Sequence, residues 1–267
     1  MERPDWAPSG IDLDRPSAAR VYDYYLGGSH NFAADRAMAE RAMQILPELP
    51  AIMRANRAFL GRAVRYLAAS GITQFIDLGS GIPTVGNVHE VAQEHEAGAR
   101  VVYVDHDPVA VIHTKSLMDG DPLTTVIEAD LREPAEVLEH PELRRLIDLE
   151  QPVAVLMVAV LHFVADDDDP AGIVARYREA MAPGSHLVIS HGTADNRPEQ
   201  GARMEALYAR SPTPLVPRSG EQVAGLLAGL QIVDPGVVHL PSWRPDGPAT
   251  DGTPASGYAT YAAVARV

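Results

Sequence analysis

The sequence predicts an α/β fold in which a seven-stranded, mostly parallel sheet carries helices on both faces. Beyond Gly71, short apolar runs alternate with segments of helical periodicity, which is the order of strands and crossover helices in a parallel sheet. The runs are apolar throughout rather than at every second position, as expected of strands that are covered on both faces. Hydrophobic residues make up 46% of the 267 positions, which is enough to fill the core of such a sheet.

The first 70 residues precede this pattern and predict a helical extension. In chain order we expect a polar arm over residues 1–16, a helix that Ser17 caps, a loop at Gly27-Gly28, a helix from Asp35 and a helix over residues 51–69. The chain thus divides into an N-terminal extension or lid, residues 1–70, and one compact unit, residues 71–267.

The compact unit should contain five strands, then two more after a proline-rich stretch. The first five are expected at residues 73–78, 100–104, 123–128, 152–158 and 185–190, and the helices between them near 84–96, 108–117, 133–147 and 170–182. The last two strands are expected near residues 232–240 and 258–265, on either side of a Gly/Pro-rich connection. We expect the final strand to run antiparallel to the others.

The charge balance disfavours some partners. Thirty-six acidic residues against 22 basic ones give a net charge of −14, which repels the phosphate backbone of nucleic acids. The same charge argues against binding to anionic membranes. It is neutral or favourable toward small cationic ligands.

Missing sequence features disfavour further classes of site. The chain has no cysteine, which removes disulfides, cysteine–zinc sites and thiol nucleophiles, and we expect a cytoplasmic location. None of its ten histidines stands in an H-E-x-x-H pattern, so we expect no metal site. The longest apolar run has the length of a buried strand and not of a membrane helix.

Glycines and polar residues follow the predicted strands, at the edge where open parallel sheets bind their ligands. The strand ends carry, in order, Asp77, Gly79, Ser80 and Gly81; Asp105, His106 and Asp107; Asp130 and Leu131; Ala159 and His162; and His191. Asp105 lies about where a ribose-binding acid is expected after a glycine loop. Asp107 precedes Pro108 and is expected to cap the following helix.

The glycine loop favours a nucleoside ligand without phosphate. A dinucleotide fingerprint needs glycine or alanine where this chain has Thr84, and no P-loop lysine follows. Asp77 precedes the first glycine by two residues, where its charge would repel a phosphate but attract an ammonium or sulfonium group. S-adenosylmethionine (SAM) is a ligand of that kind. A nicotinamide-dependent reductase is an alternative.

Two sets of motifs resemble known methyltransferases. The D-x-G-x-G of Asp77, Gly79 and Gly81, followed by Asp105 and Asp130, resembles the motifs of class I SAM-dependent methyltransferases over roughly residues 70–195. The segment ARVYDYYLGGSHNFAADR (19–36), with PGVV (235–238) and WRP (243–245), resembles the DUF574-type S-adenosyl methyltransferases over nearly the whole chain. The resemblance implies a Rossmann-like fold, SAM as methyl donor and S-adenosylhomocysteine (SAH) as product.

The resemblance also implies roles for the strand-end residues. The backbone of Gly79 and Gly81 would approach the methionyl part of SAM, and Asp77 would meet its amino group. Asp105 would accept both ribose hydroxyls, and Asp130 the adenine amine. The expected cofactor-binding residues are Asp77, Gly79, Ser80, Gly81, Asp105, His106, Asp130, Leu131 and Ala159.

His162 and His191 are the candidate catalytic residues because both follow strands at the ligand-binding edge. An imidazole titrates near neutral pH and would serve as general base toward an acceptor hydroxyl or amine. The alternative for each is an orienting role, since an electron-rich nucleophile needs no base.

The break after the first helix carries residues that are candidates for a lid over SAM and for recognition of the acceptor. They are Tyr22, Tyr25, His30, Asn31 and Phe32. Core packing is the alternative for these side chains.

The sequence as a whole indicates a SAM-dependent methyltransferase with a small-molecule acceptor. Its acidic surface argues against tRNA or DNA as the acceptor. A non-catalytic regulatory protein that binds SAM or another nucleoside is the alternative.

Overall fold

An eight-stranded sheet forms the centre of the protein, in a computed structural model that describes residues 11–118, 120–209, 211–247 and 254–267. The strands are β1 Gln74–Leu78, β2 Arg100–Asp105, β3 Thr124–Glu128, β4 Ala154–Val158, β5 His186–Gly192, β6 Gln231–Ile232, β7 Val238–His239 and β8 Thr260–Arg266. Their order is β3-β2-β1-β4-β5-β8-β6, and β7 also pairs with β8. Strands β1 to β5 run parallel and β8 runs antiparallel to β5. The predicted Rossmann-like α/β fold is confirmed.

The sheet has eight strands rather than seven because one predicted strand is divided in two. The sequence predicts a single strand over residues 232–240, whereas a turn separates β6 from β7. Pro235 has no N–H to donate to a strand ladder, and Gly236 has a φ of 91°. The two short strands therefore pair with different parts of β8.

Helices cover both faces of the sheet. In the described ranges they are α1 Ala18–Tyr25, α2 Ala33–Ile45, α3 Leu49–Ala69, α4 Val88–His95, α5 Pro108–Leu117, α6 Pro134–Glu139, α7 Pro141–Leu146, α8 Pro170–Glu179, α9 Pro198–Tyr208 and α10 Gly220–Leu226. The helix expected near residues 133–147 is interrupted, because Pro141 starts a second helix instead of continuing the first. Most of the predicted N-terminal arm, residues 1–10, lies outside the described residues.

The central strands bury both of their faces, which explains their uniformly apolar sequences. Successive side chains of a strand point to opposite faces, so Phe75 packs on one side of the sheet and Ile76 on the other. Phe59 and Leu67 of α3 cover the first face, and Tyr177 of α8 covers the second. The carboxyl ends of β1, β4 and β5 are therefore held side by side between two packed layers.

A buried ionic cluster, here called the Arg20 network, fastens α1 to the sheet edge. Arg20 Nε lies 3.0 Å from a carboxylate oxygen of Asp35, and its Nη1 lies 3.3 Å from Asp107. Asp35 is fully buried and also accepts the backbone N–H of Ser17 and of Phe32. Ser17 stands at the N-cap of α1, but its hydroxyl donates to Asp107 instead of capping the helix. The N-terminal extension is thus joined directly to the loop that follows β2.

Candidate active site

Two adjoining cavities lie at the carboxyl ends of β1, β4 and β5. The first, here called the glycine-loop cavity, encloses about 660 Å³ including its mouth and lies between α3 and the loop after β1. The second, here called the apolar cleft, encloses about 850 Å³ including its mouth and lies between α1, α3 and α9. Ala18, Tyr22, Ala159 and Phe163 line both cavities and form their common wall.

The glycine loop exposes its backbone to the first cavity. Gly79 and Gly81 have φ values of 70° and 69°, a region that favours glycine. A Cβ at Gly79 would overlap the side chain of Val160, whereas a Cβ at Gly81 would meet no atom within 4 Å. Both residues line the cavity, so a ligand can approach the main chain there.

Asp77 brings a buried carboxyl group to the same cavity. It is 5% exposed and makes no hydrogen bond to any described residue. Burial, opposed by the charge of Arg57 and assisted by the nearby Asp105, raises its pKa to about 7. A cationic ligand group would supply the partner that this carboxylate lacks.

Three buried polar atoms of the glycine-loop cavity also lack partners within the described part of the chain. They are Arg57 Nε, Ser80 Oγ and Thr84 Oγ1. The guanidinium of Arg57 is positioned by Nη2, which donates to the carbonyl of Gly86 at 3.0 Å. Buried polar atoms are almost always hydrogen-bonded, so this set indicates a ligand with several acceptor oxygens.

Asp105 lies behind Gly81 and organises the loops around it. One carboxylate oxygen accepts the N–H of Gly81 at 2.7 Å, and the other accepts the N–H of Asp107 at 2.8 Å. Asp107 accepts the N–H of Val109 and caps α5. His106 is exposed, with Nδ1 4.0 Å from Asp105. Asp105 therefore contacts the glycine loop, whereas Asp107 caps a helix.

Asp130 and Leu131 do not line either cavity. Although burial alone would raise the pKa of Asp130, the hydrogen bonds from Arg132 lower it. The closest of these bonds joins Arg132 Nη2 to the carboxylate at 2.6 Å. Leu131 packs into the hydrophobic core beside Tyr177, whose hydroxyl donates to the Leu131 carbonyl. The Leu131 side chain therefore lies in the core, and the cofactor contact expected of this residue stays a prediction.

His191 is not available as a general base. It is fully buried in β5, with Nδ1 2.8 Å from the Gly192 carbonyl and Nε2 3.0 Å from Arg218. Burial lowers its pKa to about 4. Because Nδ1 donates to a carbonyl and Nε2 accepts from a guanidinium, neither nitrogen is left for a substrate. Arg218 goes on to bind Asp166 at 2.5 Å, so the structure places His191 in a supporting network.

His162 lines the apolar cleft, close to the common wall. Its Nδ1 accepts the N–H of Gly192 at 3.3 Å, which places the proton of the neutral ring on Nε2. Burial, together with the nearby His191 and Arg218, holds the pKa of His162 well below its usual value. Its geometry is therefore that of a neutral hydrogen-bond donor.

The predicted lid residues separate into two groups. Tyr22 lines both cavities and Tyr25 lines the apolar cleft. His30, Asn31 and Phe32 line neither cavity. His30 contacts the ring of His113 at a tilt of 44°, Asn31 donates to Asp23, and Phe32 packs against Ile82, Val109 and Ala110. These three side chains fix the loop between α1 and α2, and their contact with a ligand stays a prediction.

Two residues of α3 belong to the site and were not expected from the sequence. Asn56 donates to the Tyr22 hydroxyl at 3.0 Å and accepts from Ser190 at 2.5 Å, and it lines the glycine-loop cavity beside Arg57. The apolar spacing of α3 indicates a packing helix. The sequence signal for a second role was the pair of adjacent polar residues, Asn56 and Arg57, on one side of this helix. That this side faces the end of β1 depends on how the helix packs on the sheet, which the sequence does not show.

Comparison with known proteins identifies the family. The family model described as S-adenosyl methyltransferase matches residues 4–267. The chain belongs to the S-adenosyl methyltransferase family. A Thermobifida fusca protein described as a methyltransferase has 40% identity and a TM-score of 0.93, with 98% of this chain and 99% of that chain covered. A DUF574 family protein from Streptomyces avermitilis has 41% identity and a TM-score of 0.91, with coverages of 96% and 99%.

More distant structures show the fold alone. The N-methyltransferase NodS from Bradyrhizobium japonicum, solved with SAH, has 14% identity and a TM-score of 0.50, with 92% of this chain and 98% of that chain covered. A comparison with curated proteins gave no significant match. Membership of the S-adenosyl methyltransferase family gives SAM as the cofactor, and the comparisons give no support to a non-catalytic role.

The residues of the glycine-loop cavity fit the amino-acid end of SAM. Asp77 offers a carboxylate to the ammonium group of SAM. The unpartnered polar atoms of Arg57, Ser80 and Thr84 can donate hydrogen bonds to its carboxylate. In the described ranges no group of three or more His, Asp and Glu side chains is arranged to hold a metal ion. Nor is any described helix both long and apolar enough to span a membrane.

Proposed function

We propose that this methyltransferase holds the methionyl end of SAM in the glycine-loop cavity and a small-molecule methyl acceptor in the apolar cleft. The observation that carries the proposal is the common wall of Ala18, Tyr22, Ala159 and Phe163, because it brings the two cavities into contact. SAM supplies an electrophilic methyl group on a positively charged sulfur. Methyl transfer needs little beyond alignment of the nucleophile with that carbon, which an adjoining cleft provides.

Each residue then has a defined task. Asp77 binds the amino group, and Arg57 with Ser80 binds the carboxylate. Asp105 accepts the ribose hydroxyls, and Asp130 accepts the adenine amine. Tyr22, held by Asn56 and by the Met53 carbonyl, lines both cavities where they meet and limits the entry of water. We expect the reaction to take place in the cytoplasm.

Calorimetry and a product assay test the proposal together. SAM and SAH should bind, whereas NAD and ATP should not, because Asp77 repels phosphate. Incubation with SAM and a library of small metabolites should release SAH and add one methyl group to an acceptor. Binding of NAD in preference to SAM would contradict the assignment.

Replacing Arg57 with methionine is expected to weaken SAH binding by about 10- to 100-fold. A charge-assisted hydrogen bond contributes roughly 1.5–3 kcal/mol, and methionine keeps the length of the side chain without the charge. Binding of 5′-methylthioadenosine, which lacks the amino-acid end, should change by less than about twofold. Calorimetry with both ligands measures the difference.

Arg54→Met is the matched control for that experiment. Arg54 lies one turn earlier on α3 and is exposed, so its loss should leave both affinities unchanged. If Arg57→Met weakened both ligands equally, Arg57 would not be the partner of the carboxylate.

Binding of SAH should fall as the pH drops below about 7. The pKa of Asp77 in the ligand-free protein is raised to about 7, so below that pH the carboxyl is increasingly protonated and loses its attraction for an ammonium group. The affinity should decrease by up to about tenfold per pH unit between pH 7 and pH 5. Calorimetry over this range should show the slope in the wild type and not in Asp77→Asn.

The same variant should be more stable than the wild type at high pH. An aspartate whose folded pKa lies above its unfolded value costs stability once it is ionised, and this cost develops between about pH 4 and pH 7. Urea unfolding at about pH 8 should therefore favour Asp77→Asn by a few kcal/mol. A variant that is both less stable and weaker in SAH binding would indicate misfolding instead of a lost contact.

A further inference from the structure

The lining of the apolar cleft restricts the chemistry of the methyl acceptor. Among the described residues that line it there is no aspartate, glutamate or lysine, and most of the wall is aliphatic or aromatic. Its one charged side chain, Arg197, lies 3.2 Å from Glu48 in an ion pair. A localised charge that entered the cleft would lose its hydration and gain no partner there. Tyr22, Tyr25 and Phe163 offer ring surfaces on which a flat ring can pack.

The cleft also lacks a group that can remove a proton. His162 is the titratable imidazole that lines it, and the Gly192 N–H already occupies its basic nitrogen at 3.3 Å. Around that ring lie His191, whose two nitrogens are engaged, and Arg218, which binds Asp166. An acceptor that needs a general base, such as an ordinary alcohol or an ammonium ion, would find none.

What remains at His162 is a donor. Its Nε2 carries the proton of the neutral ring and makes no hydrogen bond to any described residue. A neutral N–H in an apolar surrounding stabilises an oxygen anion whose charge is spread over a ring, and the positive sulfur of the cofactor adds to that stabilisation.

We propose that the acceptor is a planar phenol or enol acidic enough to bind as its anion, and that His162 donates from Nε2 to the reacting oxygen. This inference rests on the proposed function of the two cavities. The phenolic proton leaves to solvent before binding. A lone pair of the oxygen then forms the new C–O bond to the methyl carbon, the S–CH₃ bond breaks, and its electron pair remains on sulfur as neutral SAH.

The ionisation state of a bound phenol tests the proposal without turnover. The probe is 4-nitrophenol, whose anion is coloured, titrated into protein saturated with sinefungin, which carries an ammonium group where SAM carries its sulfonium. The apparent pKa of the bound phenol should be lower than in water. In His162→Phe, which keeps a flat ring without the donor, that lowering should largely disappear, and in His162→Gln, which restores an N–H, it should partly return.

Turnover supplies the second readout. For a series of hydroxycoumarins of graded acidity, the midpoint of the pH profile of kcat/KM should follow the pKa of each acceptor. His162→Phe should lower kcat/KM by about 10- to 100-fold, because the variant loses one hydrogen bond to a charged oxygen. Its affinity for SAH should be unchanged. Arg54→Met, an exposed change on α3 that lines neither cavity, should leave the midpoints where they are.

Several results would overturn this inference while the proposed function stands. They are a midpoint that stays fixed across the series, a bound phenol that stays neutral or does not bind, and transfer to amines in preference to phenols. In each case SAH binding and SAH release would still identify the two cavities. Failure of SAM and SAH to bind at all would instead refute the proposed function.

Discussion

Replacing Asp105 with alanine is expected to weaken SAM binding by about 10- to 1,000-fold. Two ribose hydroxyls would lose a charged acceptor, and each such hydrogen bond contributes roughly 1.5–3 kcal/mol. The variant also releases the N–H groups of Gly81 and Asp107, which Asp105 holds at 2.7 and 2.8 Å. Asp105→Asn should bind with intermediate affinity, because its amide oxygen still accepts while its NH₂ meets a backbone donor. Isothermal calorimetry with SAH measures both variants.

Asp107→Ala separates the ribose contact from the architecture around it. Asp107 caps α5 and also serves as a second counter-ion to the buried Arg20, so its loss should lower the free energy of unfolding by more than the ~1 kcal/mol of a cap alone. SAH affinity should change little at a temperature where the variant is folded. If Asp107→Ala abolished binding and Asp105→Ala left it intact, the roles of the two acids would be reversed.

Replacing Asp35 with alanine is expected to lower the free energy of unfolding by about 3–5 kcal/mol. Asp35 is fully buried, and its removal would leave the Arg20 guanidinium with Asp107, 3.3 Å away, as its remaining carboxylate partner. An uncompensated charge in the interior is costly because it has lost its hydration. The N–H groups of Ser17 and Phe32 would lose their acceptor as well. Urea denaturation of the wild type and the variant gives the difference directly.

Asp246→Ala provides the matched comparison at the surface. Asp246 accepts from Arg65 at 2.9 Å, a distance similar to that of the buried pair, but its side chain is 69% exposed. Exposed ion pairs contribute at most about 1 kcal/mol, since water and salt screen them. If the two variants lost the same stability, the Arg20 network would not fasten the N-terminal extension.

The sheet was predictable because each central strand is a short run of consecutive apolar residues. Phe75 and Ile76 are both apolar since each faces a different packed layer, and that makes a central strand recognisable without knowledge of its neighbours. The strand near residue 232 was less predictable. Apolar residues lie on both sides of Pro235, so the sequence resembles one continuous strand. The turn at Pro235 depends on pairing with β8, which is distant in sequence.

A site residue could be predicted from the sequence only where its position at the end of a strand is enough to place it in the cavity. Asp77, Gly79 and Gly81 line a cavity because the end of β1 must open there. His191 lies equally close to a strand end, yet Arg218 closes over it from a separate segment, and nothing local reveals that contact. Arg57 could not be chosen in advance for the opposite reason. The apolar residues of α3 have the spacing of a helix that packs against a core. Which side of α3 faces the cavity depends on how the helix packs on the sheet.

The first helix presents different residues to its two neighbours, and this affects how its sequence can vary. Ser17 and Arg20 hold Asp107, which in turn donates its N–H to Asp105, whereas Val21 and Tyr25 line only the apolar cleft. Substitutions at Val21 and Tyr25 can therefore reshape the apolar cleft while the loop after β2 stays anchored. Under the proposed function, acceptor preference can diversify along one face of α1, by mutation or by design, without each new enzyme having to recover its affinity for SAM.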